Sequence, residues 1–430
     1  MQATSQWVGN RHVWPVDRAG RPFRAFTVEP GAYLPVQHGD VFRAALLALF
    51  GHNPSETTGR IARSPAIAFD LVTFPEAFLP TDDLVSLMPA IARASGSLGC
   101  IHVGLRPSVE NSHLFTAIEV RRLLKALSQV PALVRSDLAA FKRWFRARHS
   151  PAPLNLGCVI ARDADDALRV CLHPKAVRSR FEVDVLAENH MAEGSLLSVI
   201  TLRPRDKRLP SLTLQPILCS DALDLQTDRP DAAPLVALNR EASVLGEDPP
   251  DHVDVVTLAT CTPQPSLDVH KGGRRNWHPE FRQAFIRAAS SGGFERHHRS
   301  VFVVANFLDV LGSAGGLSGL SGLFQPTAAA IAHPNFVWTQ AYGRPDQPRG
   351  AERAWRYAGE DGSMPLGWRT DGFFAALQPH STGDGVARMF GFTLPRLPRE
   401  LTPWTMPGGL TECRLLTGRV ENGRIVFRKA

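Results

Sequence analysis

The 430-residue sequence lacks any apolar run close to the roughly 18 residues that a membrane-spanning helix needs. Its first residues also lack the basic-then-apolar layout of a secretory signal. Six cysteines are scattered without closely spaced pairs, which argues against a disulfide framework and against a Cys-x-x-Cys zinc site. Because 44% of the residues are hydrophobic, the chain can bury a large core. We therefore expect a folded, soluble protein in a reducing, cytoplasmic compartment.

Several common functional signatures are missing as well. The Gly/Ser-rich stretch 312–322 contains Gly-Leu-Ser-Gly twice, but it has neither the Gly-x-Ser-x-Gly of serine hydrolases nor a lysine-bearing phosphate loop. The pairs His297-His298 and Cys171/His173 have no second pair at metal-ligand spacing. We therefore predict neither a metal ion nor a cofactor.

The net charge of +7 resides in one segment of the chain. Between positions 121 and 150, eight basic side chains stand against the single acid Asp137, which accounts for the whole excess. Apolar residues at helical spacing on both sides of Pro131 predict an amphipathic helix pair. We interpret 121–150 as a basic helical insertion with a solvated outer face. The alternative is a surface for an acidic partner or a nucleic-acid backbone.

Apolar runs and helical periodicity alternate along the chain, which predicts an α/β fold. The predicted strands are 23–28, 67–74, 100–105, 156–161, 167–172, 196–202, 212–218, 253–259 and 301–306, and the predicted helices outside the insertion are 42–50, 84–94 and 281–289. We assign 1–330 to the main domain. Pro, Gly and Trp recur in 331–430, which predicts a loop-rich C-terminal elaboration that packs on the same domain. It should end in a hairpin around Glu421-Asn422-Gly423.

Three predicted strands end at residues able to carry out chemistry. Cys219 follows the apolar run 214–218, and a thiol at a strand exit is a candidate nucleophile, whereas a structural cysteine more often lies within the run. Glu76 follows strand 67–74, and Lys175 follows the predicted hairpin. Taken singly, Glu76 is equally explained as a turn residue and Lys175 as a surface lysine. The carboxyl ends of strands are where open α/β sheets build their sites.

Taken together, five short pieces resemble the nitrilase, or carbon–nitrogen hydrolase, superfamily in the family's own order. They are Phe74-Pro75-Glu76, Lys175, Ile217-Leu218-Cys219-Ser220-Asp221, Val303-Val304-Ala305-Asn306 and Ser321-Gly322-Leu323-Phe324-Gln325-Pro326. The resemblance spans about three quarters of the chain and implies a four-layer α-β-β-α sandwich that dimerises. The sequence departs from the family at Ser220, where a bulkier residue is usual, and in the insertion 121–150.

The resemblance implies catalytic roles for Glu76, Lys175 and Cys219, with a second glutamate between the lysine and the cysteine. We expect Glu193 in that position, and Glu182 is the competitor. The implied reaction is hydrolysis of a non-peptide C–N bond, in an amide, a nitrile or a carbamoyl compound, through a thioester. Glu76 takes the thiol proton, while Lys175 holds the thiolate and neutralises the oxyanion. We therefore expect the pKa of Cys219 to be low.

The same resemblance implies a small-molecule amide or nitrile as substrate and a second copy of the chain as partner. No membrane partner is expected. The alternative from another class of protein is a catalytically silent nitrilase-like module that binds or regulates, with the basic insertion as a polyanion-binding patch. The reactivity of Cys219 distinguishes the two hypotheses.

Overall fold

A computed structural model of the chain describes most of residues 7–307 and shorter segments beyond them. The described residues are 7–18, 23–31, 38–50, 69–93, 99–107, 113–179, 182, 190–223, 233–240, 245, 250–262, 269–270, 273–274, 281, 284–285, 288, 295–297, 300–307, 321–326, 369–370, 374–377, 386–394 and 412–429. Residues 312–320 of the Gly/Ser-rich stretch and most of the Trp-rich segment 334–410 therefore lie outside the described residues.

The described residues form a mixed α/β structure in which strands predominate. The helices are α1 (His38–Phe50), α2 (Thr81–Arg93), α3 (Ala117–Gln129), α4 (Ala139–Ala147) and α5 (Pro234–Arg240). The strands are β1 (Val8–Val16), β2 (Phe23–Pro30), β3 (Leu71–Thr73), β4 (Leu79–Pro80), β5 (Cys100–Arg106), β6 (Leu156–Arg162), β7 (Leu168–Pro174), β8 (Leu196–Pro204), β9 (Leu212–Leu218), β10 (Val255–Ala259), β11 (Val269–His270), β12 (Gly273–Arg274), β13 (Val301–Ala305), β14 (Gly322–Pro326), β15 (Arg369–Thr370), β16 (Phe374–Leu377), β17 (Ala387–Leu394), β18 (Glu412–Glu421) and β19 (Arg424–Lys429).

Two large sheets organise the chain. Sheet I has the strand order β1-β8-β9-β10-β13-β14-β16-β15, with β9, β10 and β13 parallel to one another. Sheet II has the order β19-β18-β17-β2-β3-β5-β6-β7, with β2, β3 and β5 parallel and β4 beside β5. The strands β7 and β9, which precede Lys175 and Cys219, therefore belong to different sheets.

The hydrophobic core falls into three clusters of buried side chains. One contains residues from both sheets, among them Leu71 and Val159 of sheet II and Leu214 and Val303 of sheet I. A second joins sheet II to α1, α2, α3 and α4, and a third joins sheet I to α5 and to the buried helical residue Phe285. The central strands are apolar on successive positions because both of their faces are covered.

The basic segment 121–150 contains most of the two predicted helices, α3 and α4, and α3 begins four residues before it at Ala117. A capping box begins α3, in which Thr116 and Glu119 bond each other's backbone N–H groups. The inner faces of α3 and α4 lie in the cluster on sheet II, where Leu127 and Phe141 are fully buried. Among the described helices, none is long and apolar enough to cross a membrane.

The described parts of segment 331–430 are strands of the two sheets. β17 pairs with β2 over eight residues in sheet II, and β16 pairs with β14 in sheet I. The predicted terminal hairpin is confirmed by the pairing of β18 with β19, and Asn422 and Gly423 adopt the positive φ angles (50° and 74°) of a two-residue turn.

Candidate functional site

The turn after β9 holds Cys219 in a strained conformation. Its φ of 39° is in the left-handed region that a residue with a Cβ rarely occupies. The carboxylate of Asp221 stabilises this turn by accepting hydrogen bonds from the backbone N–H groups of Leu218 (3.1 Å), Ala176 (2.9 Å) and Val177 (2.8 Å). Because Ala176 directly follows Lys175, Asp221 ties the cysteine turn to the lysine.

Lys175 lies between two carboxylates in the interior. Its Nζ is 2.8 Å from Oε1 of Glu76 and 2.9 Å from Oε2 of Glu182, and its side chain is 1% exposed. The amide nitrogen of Asn155 donates to both glutamates, at 2.8 Å to Glu76 and 3.0 Å to Glu182. The backbone N–H of Ser179 donates to Glu182 at 2.7 Å. A buried ammonium ion is tolerable here because its charge is paired and hydrogen-bonded.

These contacts set the charge state of the cluster. Burial alone lowers the pKa of Lys175, but the carboxylates of Glu182 and Glu76 outweigh it and hold that pKa well above its usual value. Burial raises the pKa of Glu182, and Lys175 together with the donors Asn155 and Ser179 brings it below the usual value. The cluster therefore contains a protonated lysine and an ionised Glu182 at neutral pH.

Glu76 lies in the turn that links β3 to β4, close against the neighbouring strand β5. Ala77 in this turn has a φ of 50°. A Cβ on Gly104 of β5 would lie 2.3 Å from the Cα of Glu76. The backbone N–H of Gly104 also donates to the carbonyl of Pro75 at 3.0 Å. A glycine at position 104 is therefore required for this position of Glu76.

One hydrogen-bonded network joins Cys219 to Glu76. The hydroxyl of Thr260 donates to the Cys219 sulfur at 3.3 Å, and the backbone carbonyl of Thr260 accepts from the N–H of Glu76 at 3.4 Å. Thr262 lies 3.8 Å from the same sulfur. The structure thus brings Glu76, Lys175 and Cys219 together through Thr260 and Asp221, at the carboxyl ends of β3, β7 and β9.

The expected low pKa of Cys219 is wrong. Burial raises its pKa, the negative charge of Glu76 raises it further, and Lys175 and the Thr260 hydroxyl only partly oppose them, so the pKa is about 12. The expected value rests on Lys175 as the dominant charge near the sulfur. In the fold two carboxylates accompany that lysine, and Cys219 is a neutral thiol at rest.

Glu193 lies outside this network, contrary to our expectation. Its carboxylate is 3.4 Å from Nε of Arg178 and about one quarter exposed, whereas Glu182 contacts Lys175. The competing residue thus occupies the place of the second glutamate. A sequence signal for it existed, because Ser179 and Glu182 have the Ser-x-x-Glu spacing of a capping box.

Asn155 and Thr260 were not singled out from the sequence. Asn155 immediately precedes the apolar strand β6, and Thr260 immediately follows the apolar strand β10. Both residues are polar and buried. Strand β6 lies beside β7, which precedes Lys175, and β10 lies beside β9, which precedes Cys219. That position is a usable signal only once the strand order is known.

A cleft elsewhere in the fold is separate from this cluster. It is lined by residues such as Arg18, Asp70, Gly99 and Leu212. Asp70, Gly99 and Leu212 lie at the amino ends of β3, β5 and β9. Arg18 lies just beyond the carboxyl end of β1. The cleft is therefore at the opposite end of the strands from Cys219. Within the described residues, no group of three or more histidine, cysteine, aspartate or glutamate side chains is placed to hold a metal ion.

Neither a scan against protein-family models nor a search of curated proteins finds a match for this chain. The fold and the cluster by themselves define a mixed α/β protein in which a buried lysine, held by two glutamates, stands beside a strained cysteine.

Proposed function

We propose that this protein is a cysteine-dependent hydrolase of non-peptide C–N bonds that works through a thioester intermediate. The observation that carries the proposal is the burial of a charged Lys175 between Glu76 and Glu182, in one network with the strained Cys219. Burying such an ion pair is a weak way to stabilise a fold, whereas perturbed charges clustered at strand ends are typical of active sites.

The three core clusters support a nitrilase-type arrangement of the layers. Helices α1 to α4 share a cluster with sheet II, both sheets share the middle cluster, and α5 shares a cluster with sheet I. We propose that these layers form the four-layer α-β-β-α sandwich that the sequence resemblance implies.

Glu76 is better suited than Glu182 to be the general base. Both oxygens of Glu182 are engaged: Oε1 accepts from Asn155, and Oε2 contacts Lys175 and accepts from Ser179. Glu76 uses only Oε1 for Lys175 and Asn155, and its Oε2 receives no hydrogen bond from the described residues. That second oxygen is available to take a proton from the thiol.

The first half of the proposed reaction forms the thioester. As the Cys219 sulfur attacks the carbonyl carbon, its proton passes to Glu76, which avoids a free thiolate in a site where the thiol pKa is about 12. The ammonium of Lys175 and the backbone N–H after the nucleophile stabilise the oxyanion. Collapse of this intermediate breaks the C–N bond, and Glu76 returns the proton to the leaving amine.

The second half hydrolyses the thioester. Glu76 takes a proton from a water molecule as the oxygen attacks the acyl carbon, the C–S bond breaks, and the acid leaves while the sulfur regains its proton. The buried oxygen Oδ1 of Asn155 has no hydrogen-bond donor among the described residues. We assign it to accept from this water or from the substrate N–H, because a buried acceptor without a donor is costly. Glu182 keeps Lys175 charged throughout.

Further parts of the proposal rest on the sequence resemblance alone. The substrate is a small-molecule amide, nitrile or carbamoyl compound, no cofactor takes part, and the protein works as a homodimer in the cytoplasm. The raised pKa of Cys219 favours a second candidate, a catalytically silent binding or regulatory module with the same scaffold.

Release of ammonia or amine from a panel of small amides, nitriles and carbamoyl compounds tests the proposal. We expect turnover of at least one member by the wild-type protein and none by Cys219→Ala. Cys158→Ala is the matched control, because Cys158 is buried in the cluster on the far side of sheet II and its replacement should leave turnover intact. Equal activity of Cys219→Ala and the wild type would overturn the proposal. A folded protein that turns over no compound in the panel would support the silent module.

A further inference from the structure

The outer surfaces of α3 and α4 carry basic side chains in the same spacing. Each helix has them at positions i, i+1 and i+4, which fall within about 100° of one another on a helix with 3.6 residues per turn. In α3 these are Arg121, Arg122 and Lys125, and in α4 they are Lys142, Arg143 and Arg146. Arg135 lies between the helices. All but Lys142 are exposed, and we call Arg121, Arg122, Lys125, Arg135, Arg143 and Arg146 the cationic face.

The cationic face stands on a rigid support. The opposite sides of the two helices are buried in the cluster on sheet II through residues such as Leu123 and Trp144. The two helices are joined at their sides by a hydrogen bond of 3.0 Å from Lys142 to Ser128, and Trp144 donates to Ser195 at 3.1 Å. The positions of the charges are therefore set by packing of the core.

The acids nearest in sequence do not neutralise this face. Glu119 is engaged in the capping box with Thr116. Asp137 is buried, and its two oxygens accept a pair of 2.8 Å hydrogen bonds from Arg169 of β7. In the described part of the chain, the six side chains of the cationic face form neither ion pairs nor hydrogen bonds.

Some other arginines of the described residues are paired with acids: the half-buried Arg43 contacts Asp40, and the exposed Arg208 and Arg428 contact Asp206 and Glu421. Among the same residues, exposed cations without an acid partner also occur at Arg203, Lys207, Arg419 and Arg424, but six of them share α3, α4 and the turn between these helices. The chain outside 121–150 is balanced in charge. A surface of this kind fits a partner with a regular array of negative charges.

We propose that the cationic face binds the phosphodiester backbone of a nucleic acid. Five of its six residues are arginine, whose planar guanidinium group matches phosphate oxygens with two parallel hydrogen bonds. The 13-residue helix α3 is about 20 Å long, a length over which a DNA duplex carries roughly 12 phosphate charges. Contacts to phosphates position a protein without reading bases, so binding is independent of sequence. The cationic face contains none of the residues of the proposed hydrolase site, so the two proposals are tested independently.

Salt-dependent binding of the full-length protein to labelled nucleic acid tests the proposal. The two probes are a DNA duplex and a single-stranded RNA, each with about 40 phosphates, and tighter binding of either identifies the nucleic acid. With six cations engaged, log Kobs should fall against log salt concentration with a slope of about −5 for the duplex, or about −4 for the single strand. The triple variant Arg121→Gln, Arg122→Gln, Lys125→Gln should weaken binding roughly tenfold or more at 0.1 M salt and should bring the slope to about half.

A second triple variant controls for net charge. Arg203→Gln, Lys207→Gln and Arg208→Gln remove the same charge from the end of β8 and the exposed turn that follows it, and we expect the affinity to stay within about threefold of the wild type. Equal losses in both triple variants, at unchanged melting temperatures, would overturn the proposal. So would absence of binding to both probes at about 50 mM salt. Displacement of the nucleic acid by poly-glutamate at equal charge would reassign the face to an acidic protein.

Discussion

The ammonium of Lys175 lies 2.9 Å from the carboxylate of Glu182, and both side chains are 1% exposed. Glu182 does not follow an apolar run in the sequence, so its position there does not indicate a catalytic role. Its importance follows from the fold, because it shares with Glu76 the task of keeping a buried lysine charged.

Replacing Glu182 by glutamine should therefore destabilise the protein and stop turnover. The change leaves the lysine with one carboxylate in place of two, and we expect a loss of about 3 kcal/mol in the free energy of unfolding. Urea denaturation measures it. Glu193→Gln is the matched control, since Glu193 contacts the partly exposed Arg178, and its loss should be within about 0.5 kcal/mol. Equal effects of the two variants would contradict the assignment of the second glutamate.

The same pair predicts a pH dependence of stability. The pKa of Glu182 in the folded state is below its unfolded value near 4.5. Its contribution is therefore fully present above that pH and is lost as the pH falls through the folded value. The difference in unfolding free energy between the wild type and Glu182→Gln should shrink as the pH falls below about 4.5. A difference that stays constant down to pH 3 would contradict a charged pair.

The reactivity of Cys219 should rise steadily in alkali. Because its pKa is about 12, the rate of iodoacetamide labelling should increase about tenfold per pH unit through pH 10, without the plateau that an ordinary thiol reaches. Glu76→Gln removes a negative charge and should speed labelling at a given pH, while Lys175→Met should slow it. Peptide mapping identifies the labelled residue. Labelling that levels off near pH 7 would show that the lysine dominates.

Thr260 should act as a positioning residue for the nucleophile. Its hydroxyl donates to the Cys219 sulfur, and that hydrogen bond strengthens as negative charge develops there. Thr260→Val should lower kcat roughly tenfold and leave KM nearly unchanged, whereas Thr260→Ser, which keeps the hydroxyl, should restore most of the rate. If Thr260→Ser is as slow as Thr260→Val, the side chain acts through packing alone.

The close approach of β5 to the turn that bears Glu76 makes Gly104 sensitive to substitution. A Cβ at position 104 would lie 2.3 Å from backbone atoms, so Gly104→Ala should displace Glu76 and remove activity. Gly418→Ala is the control, since its nearest neighbours are the ring atoms of Phe427 at 3.1 Å, which can move. An active, stable Gly104→Ala protein would contradict the role of this close approach.

Much of the strand content was accessible from the sequence because many strands are long apolar runs. Strands β9 and β13 are buried at every position, and mostly apolar runs of this length predict buried strands directly. Strand β1 escaped prediction, because two of its three buried positions, Asn10 and His12, are polar and only Trp14 is apolar. The pairing of β17 with β2 joins residues more than 350 positions apart, and no local pattern encodes it.

The site was predictable in part for the same physical reason. Glu76, Lys175 and Cys219 each follow an apolar strand, and the strand signal located them. The choice between Glu182 and Glu193 depends on which side chain turns toward Lys175. The Ser-x-x-Glu spacing of Ser179 and Glu182 indicates a local capping box, but it does not indicate a contact with Lys175. The pKa of Cys219 required the balance of burial and three charges, which only the fold supplies.

Acid-quenched mass spectrometry of the protein during turnover of an amide detects the proposed thioester itself. We expect a population with the added mass of the acyl group, located by peptide mapping on Cys219 and absent from Cys219→Ala. Release of amine without an acyl adduct in wild-type protein, or an adduct on a different residue, would contradict the proposal.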